Sequence, residues 1–233
     1  MINEKYIEKL EEAQLALDFK EIHKAIGLFE DILKDNPKNS RCNYGLGNCY
    51  YELEEYATAI LYFEKVIEFD EENADAYIRL AGLYDLKGES NKALSYALKA
   101  IEIFDKSWTY YFELSLIYSN LSNFEESINA LKKAVALKPD YFQAYCNMAD
   151  AYNQLGKYDL AVQTATKAVD INPNDVYSIC TLAEAYENLK EFDISKKLFE
   201  KVLKIEPNFQ TAIDGLNRIE KIKWKFYLKY FYY

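Results

Sequence analysis

The sequence predicts an all-α fold built from repeated helix hairpins, and three observations carry the prediction. Tyrosines recur every 34 residues, at Tyr50, Tyr84, Tyr118, Tyr152 and Tyr186. Inside a period the apolar residues fall at i, i+3, i+4 and i+7, as in Tyr145, Met148, Ala149 and Tyr152, which marks one face of a helix. The prolines, Pro37, Pro139, Pro173 and Pro207, all stand at the ends of periods, where a continuing helix would need the amide hydrogen that proline lacks.

The elements follow in order. Six units run without insertion, at 6–39, 40–73, 74–107, 108–141, 142–175 and 176–209. Each opens with a helix on the tyrosine stripe, breaks at a short polar segment such as LGKYD (155–159), and closes with a second helix. Two columns stay small: Ala13, Gly47, Ala81, Ser115, Ala149 and Ala183 in the first helices, and Ala25, Ala59, Ala93, Ser127, Ala161 and Ser195 in the second. Small residues let helices approach closely, so that the bulky Tyr and Leu columns interdigitate. After residue 209 the stripe Ile213, Leu216, Ile219, Ile222 and Phe226 is expected to cover the last hairpin. The chain therefore divides into an array over 1–209 and a capping helix with an aromatic, basic tail over 210–233.

The pattern resembles the tetratricopeptide repeat (TPR) family. Unit five shows it most fully, with Tyr145, Met148, Ala149, Tyr152, Gly156, Tyr158, Ala161, Ala168 and Pro173 at the family's marked positions. Departures are local: Glu71 and Asp105 replace the terminal proline, and Ala97 and Ala165 replace a large residue of the second helix. Lys9, Glu12 and Ala16 replace bulkier residues in the first unit, as suits a cap whose outer side meets water. The resemblance implies an α-solenoid: a right-handed superhelix of six hairpins closed by a C-terminal solvating helix, with the first helices lining a concave groove.

Composition narrows the function. The net charge of −10 and the lack of a basic face argue against nucleic acid, whose phosphates this chain would repel. Cys42, Cys49, Cys146 and Cys180 have no CxxC spacing, and His23 is the single histidine, so the cysteines read as buried apolar residues rather than metal ligands. The charged N-terminal stretch MINEKYIEKLEEAQ lacks a signal-peptide core, and the expected location is the cytoplasm. No catalytic constellation, phosphate loop or dinucleotide fingerprint is present, so the expectation is a protein that is not an enzyme and needs no cofactor.

On the family's groove-facing columns one line reads Leu10, Tyr44, Ile78, Phe112, Cys146 and Cys180. The lines beside it read Gln14, Asn48, Gly82, Leu116, Asp150 and Glu184, and Glu11, Gly45, Arg79, Glu113, Asn147 and Thr181. The resemblance thus implies a peptide-binding groove in which Tyr44, Asn48, Ile78, Arg79, Phe112, Leu116, Asn147, Asp150, Glu184 and Glu187 are the candidate contacts. The expected partner is a protein or peptide with an apolar anchor for Tyr44, Ile78 and Phe112, and Lys or Arg for Asp150, Glu184 and Glu187. The family's carboxylate clamp, built from Lys, Asn and Arg on three successive repeats, is not matched in any window of this chain.

The ending, KIKWKFYLKYFYY, is unusual. Seven of the last ten residues are aromatic, and from Arg218 onward five basic side chains face the single Glu220, which leaves −14 on residues 1–217. A second stripe, Trp224, Leu228 and Phe231, exceeds what capping needs. Three readings remain open. The tail folds back on the end of the array, binds a neighbouring copy to form a homo-oligomer, or touches a membrane surface, the last disfavoured by the acidic body.

Overall fold

The computed structural model describes residues 4–231, with side chains described over 6–224. Among the described residues there are thirteen α-helices and no strand. The first helices of the hairpins are α1 (Glu4–Asp18), α3 (Ser40–Glu52), α5 (Ala74–Leu86), α7 (Trp108–Asn120), α9 (Phe142–Gln154) and α11 (Val176–Asn188). The second helices are α2 (Ile22–Asp35), α4 (Tyr56–Phe69), α6 (Ser90–Ile103), α8 (Phe124–Leu137), α10 (Tyr158–Ile171) and α12 (Phe192–Ile205). The chain ends in α13 (Gln210–Phe231), whose 22 residues exceed the 13 or 14 of the internal helices α2 to α12. It forms two compact units, one ending at Ile117 and one beginning at Tyr118.

The sequence dictates these helices locally. Each hairpin turns on one residue with positive φ: Lys20, Glu54, Gly88, Ser122, Gly156 and Lys190, again 34 apart. That left-handed conformation crowds a Cβ against the backbone, and only Gly88 and Gly156 adopt it freely. First helices are capped by side chains where the sequence allows. Asn39 accepts from the Cys42 amide (2.9 Å), Asn73 from Ala76 (3.0 Å) and Asp175 from Ser178 (2.7 Å). Pro37, Pro139, Pro173 and Pro207 each lie two residues beyond a second helix, and α4 and α6 stop at the same register without proline.

The two small columns are where helices meet. Ala13, Ala25, Ala59, Ala81, Ala93, Ala149, Ala161 and Ala183 are fully inaccessible, as are Ser127 and Ser195. Aromatic pairs bridge the two helices of a hairpin in repeated fashion. Tyr50 stacks on Tyr62 at 5.5 Å and Tyr84 on Tyr96 at the same distance, one period later. Part of the tyrosine excess is thus structural.

Three glycines accept a buried phenylalanine. A Cβ on Gly45 would lie 2.4 Å from the Phe29 ring, one on Gly47 2.7 Å from Phe63, and one on Gly215 2.4 Å from Phe199. Phe29, Phe63 and Phe199 are among the largest fully buried side chains. In the second unit α13 packs against α11 and α12, burying Ala212, Gly215 and Ile219, with Phe209 just ahead of it. The expected capping stripe is therefore in place through Ile222, and the side chain of Phe226 lies outside the described residues.

Candidate functional site

Each compact unit holds a cavity against its first helices. In the first unit a space of about 390 Å³ opens between α1, α3 and the start of α5, lined by Leu10, Gln14, Arg41, Tyr44, Asn73 and Asp75 among others. Tyr44 is half-buried. Its ring meets the edge of Phe63 at 5.4 Å. Arg79, on α5, lies 5.7 Å over the Tyr51 ring of α3. Asp75 accepts a 2.6 Å hydrogen bond from the Tyr110 hydroxyl. Burial and that acidic partner raise the Tyr110 phenol, so it stays protonated.

Farther along the same unit, the Glu113 carboxylate stands against Gly82, where a Cβ would come within 2.8 Å of it. Burial raises the Glu113 pKa and Asp85 adds to this, while Arg79 pulls the other way. Ile78 is half-buried against the cluster of Ala74, Ala100 and Tyr110 and does not line the cavity, which leaves Tyr44 as the expected anchor that does. Phe112, Leu116 and Asn48 are likewise half-buried.

In the second unit a space of about 410 Å³ is lined by Asn147, Asp150, Thr181, Glu184, Tyr177 and Phe209, with Cys146 and Cys180 at its floor. Asn147, Asp150 and Glu184, expected from their register, are thus brought together. Asp150 keeps exposed surface while lining the cavity, and Glu184 lines the same space. Loss of solvent first, and the second carboxylate next, push the Asp150 carboxyl up to about 7. Tyr177, which sequence reasoning did not single out, is 68% exposed at the cavity and meets Phe209 edge-on at 5.1 Å. Cys146 lies 3.3 Å from Ser178 Oγ, and burial pushes its thiol up to about 11 and that of Cys180 to about 12. Neither is a nucleophile at neutral pH.

Glu187 is placed differently from its expected role. Arg218 on α13 grips it with two hydrogen bonds, Nε to Oε1 at 3.0 Å and Nη2 to Oε2 at 2.8 Å, and lies 3.6 Å from Glu184. These two acids, expected to receive a partner's basic residue, already have a cation from their own chain. Lys223 similarly binds Asp193 at 2.8 Å. Two of the five basic residues of the ending are engaged inside the second unit, and Asp150 has no cationic partner among the described residues. Trp224 keeps 65% of its surface exposed, and the side chains of Leu228 and Phe231 lie outside the described residues.

Among the described residues no group of acids, thiols or His23 could hold a metal ion, and no helix is long and apolar enough to cross a membrane. Family models described as tetratricopeptide repeat match residues 10–74, 74–106, 142–175 and 176–209, and one described as TPR repeat matches 116–156. No curated protein sequence matches the chain. Among solved structures the fold is similar to PilF of Pseudomonas aeruginosa (13% identity, 92% of this chain and 98% of that one, TM-score 0.79). It is similar to YrrB, described as a TPR protein with an unusual peptide-binding site (17% identity, 80% and 96%, TM-score 0.69), and to MamA (25% identity, 70% and 95%, TM-score 0.65). With the helix hairpins repeating at 34 residues and the family models matching along the array, the chain belongs to the tetratricopeptide repeat family.

Proposed function

We propose that the chain is a non-catalytic interaction scaffold that binds a peptide segment of a partner protein through the first-helix faces of its two units. The observation that carries this reading is the second-unit cavity. There α9 presents Asn147 and Asp150, α11 presents Thr181 and the open ring of Tyr177, and the turn before α13 presents Phe209, all to one space of about 410 Å³. A basic side chain of the peptide would pair with Asp150 and lie against Tyr177, since both attract a cation. The backbone would find donors and acceptors in Asn147 and Thr181. In the first unit the partner's apolar residue would contact Tyr44 beside Leu10. The family's similarity to YrrB, whose description names a peptide-binding site, supports a peptide ligand. All four thiols are buried, so none is presented to a reactant.

The test is selection from a random peptide library displayed on phage, using the whole chain as bait. Enriched peptides should carry an aromatic or aliphatic anchor and at least one Lys or Arg. Asp150→Lys should then weaken their binding by about tenfold or more, as should Tyr44→Ala combined with Phe112→Ala, with little loss of helicity. No enrichment, or enriched peptides indifferent to both variants, would rule the reading out.

A further inference from the structure

We propose that α13 of one copy docks on the outer stripe of α1 of a second copy, so that the protein associates head to tail through Trp224 on one side and Leu15 and Phe19 on the other. Helix α1 buries Ala13, Ala16 and Leu17 against its own hairpin. On the other side Glu8, Glu12 and Leu15, at i, i+4 and i+7, are exposed, as is Phe19 in the turn just after the helix, Leu15 by 55% and Phe19 by 74%. Two large apolar side chains turned to water beside each other are out of place on a polar surface.

Helix α13 offers a matching stripe. Asn217, Lys221 and Trp224 are exposed at i, i+4 and i+7 of α13, away from the buried Ala212, Gly215 and Ile219. The register continues in the sequence to Leu228 and Phe231. Charge decides the pairing. Helix α1 carries five acids against two lysines, a net −3, while α13 carries five basic residues against Asp214 and Glu220, a net +3. Part of this charge is used within the chain. Lys24 pairs with Glu12 at 3.1 Å, Gln14 donates to Asp18 at 2.9 Å, Lys9 binds Asp31, Arg218 binds Glu187 and Lys223 binds Asp193. Glu8 on α1 and Lys221 on α13 have no ion-pair partner among the described residues.

Like ends repel, α1 against α1 and α13 against α13, so the charge selects head-to-tail contact over a symmetric dimer. Such a contact uses two different surfaces and leaves one of each unfilled, so it extends with concentration instead of stopping at two. The occupant of the α1 stripe is thus a second copy, and the peptide cavities of both copies take no part.

Sedimentation velocity on the whole chain tests this. At ~20 mM salt the weight-average mass should rise steadily with concentration up to about 1 mM, and it should fall back toward the monomer at ~500 mM salt because the contact is electrostatically selected. Phe19→Glu and Trp224→Glu, both at exposed positions, should each be monomeric alone, yet their 1:1 mixture should form a heterodimer and nothing larger, since each supplies the surface that the other lacks. Lys221→Glu should weaken self-association by about tenfold, and Glu8→Lys in the second component should restore it. A monomeric wild type over the whole range overturns the proposal. So does undiminished association of Phe19→Glu, which would indicate tail-to-tail pairing or a tail in a neighbour's cavity, and so does failure of the two variants to pair.

Discussion

Arg218 and Glu187 are joined by two parallel hydrogen bonds, 3.0 and 2.8 Å long, across 31 residues of chain. The side chain of Glu187 is only 13% accessible and that of Arg218 46%. The bond ties α13 to α11, and it turns the last acids of the first-helix line inward upon the chain's own cation. Arg218→Ala should leave Glu187 half-desolvated without a counter-ion and cost about 1–2 kcal/mol, less than a buried pair because water reaches the guanidinium. Urea unfolding followed by circular dichroism measures the loss, and amide exchange should show it concentrated in α13 if the pair anchors that helix.

Gly215 should resist replacement by the best helix former. Alanine gains about 1 kcal/mol of helix propensity over glycine, but its Cβ at 2.4 Å from the fully buried Phe199 ring forces overpacking of about 1–3 kcal/mol. Gly215→Ala should therefore destabilise, and Phe199→Leu in the same chain should recover much of the loss. A more stable single variant in thermal denaturation would show that the ring moves away without cost.

Lys190 holds φ at 65° where the equivalent turns use Gly88 and Gly156. Lys190→Gly removes the Cβ crowding, worth about 1–2 kcal/mol, against the added freedom of glycine in the unfolded chain, worth about 0.4–1 kcal/mol. A net gain of roughly 0.5–1 kcal/mol is expected in chemical denaturation. Gly156→Lys should show the reverse.

Asp150 should give the fold a pH dependence opposite to that of a salt-bridged acid. Its carboxyl is raised from the ordinary 3.8 to about 7, chiefly by desolvation and then by Glu184. Below the lower value it is protonated whether folded or unfolded, and its ionisation costs the fold nothing. As pH rises from there through about 7 the unfolded chain ionises more readily, the cost grows, and above 7 it is complete. Asp150→Asn should therefore be more stable than the wild type at pH 8, by about 1 kcal/mol or less because water screens this carboxylate, with the difference vanishing as pH falls below the ordinary 3.8. A basic peptide that pairs with Asp150 should bind best above the same transition, which titration calorimetry across pH would detect.

Much of this was legible without coordinates, because a helix hairpin buries the same register positions in each period. Ala13, Ala81, Ala149 and Ala183 had to be small where helices touch, and Leu46 and Leu80 had to fill the space beside them. The column that reads Gln14, Asn48, Gly82, Leu116, Asp150 and Glu184 extends one further period to Arg218, and the neighbouring column from Gly45 to Thr181 extends to Gly215. Both extensions are visible in the sequence once α13 is treated as a seventh first helix. Reading them would have found the Arg218 contact and the Gly215 seat for Phe199.

What periodicity could not supply is which surface residues meet one another. Ile78 and Tyr44 share a column, yet Ile78 packs on Tyr110 and Ala100 while Tyr44 faces a cavity, because their neighbours on the adjoining helices differ in size. Asp150 and Glu187 are both acids of the second compact unit, yet among the described residues the first has no cationic partner and the second is gripped by Arg218, since the reach of one side chain from α13 selects between them. The sequence by itself determined the helices, their pairing and the buried columns, for these depend on local register and apolar burial that repeat every 34 residues. The tertiary structure decided which charges are already satisfied and which remain for a partner, because that depends on distances of a few ångströms between residues some thirty positions apart.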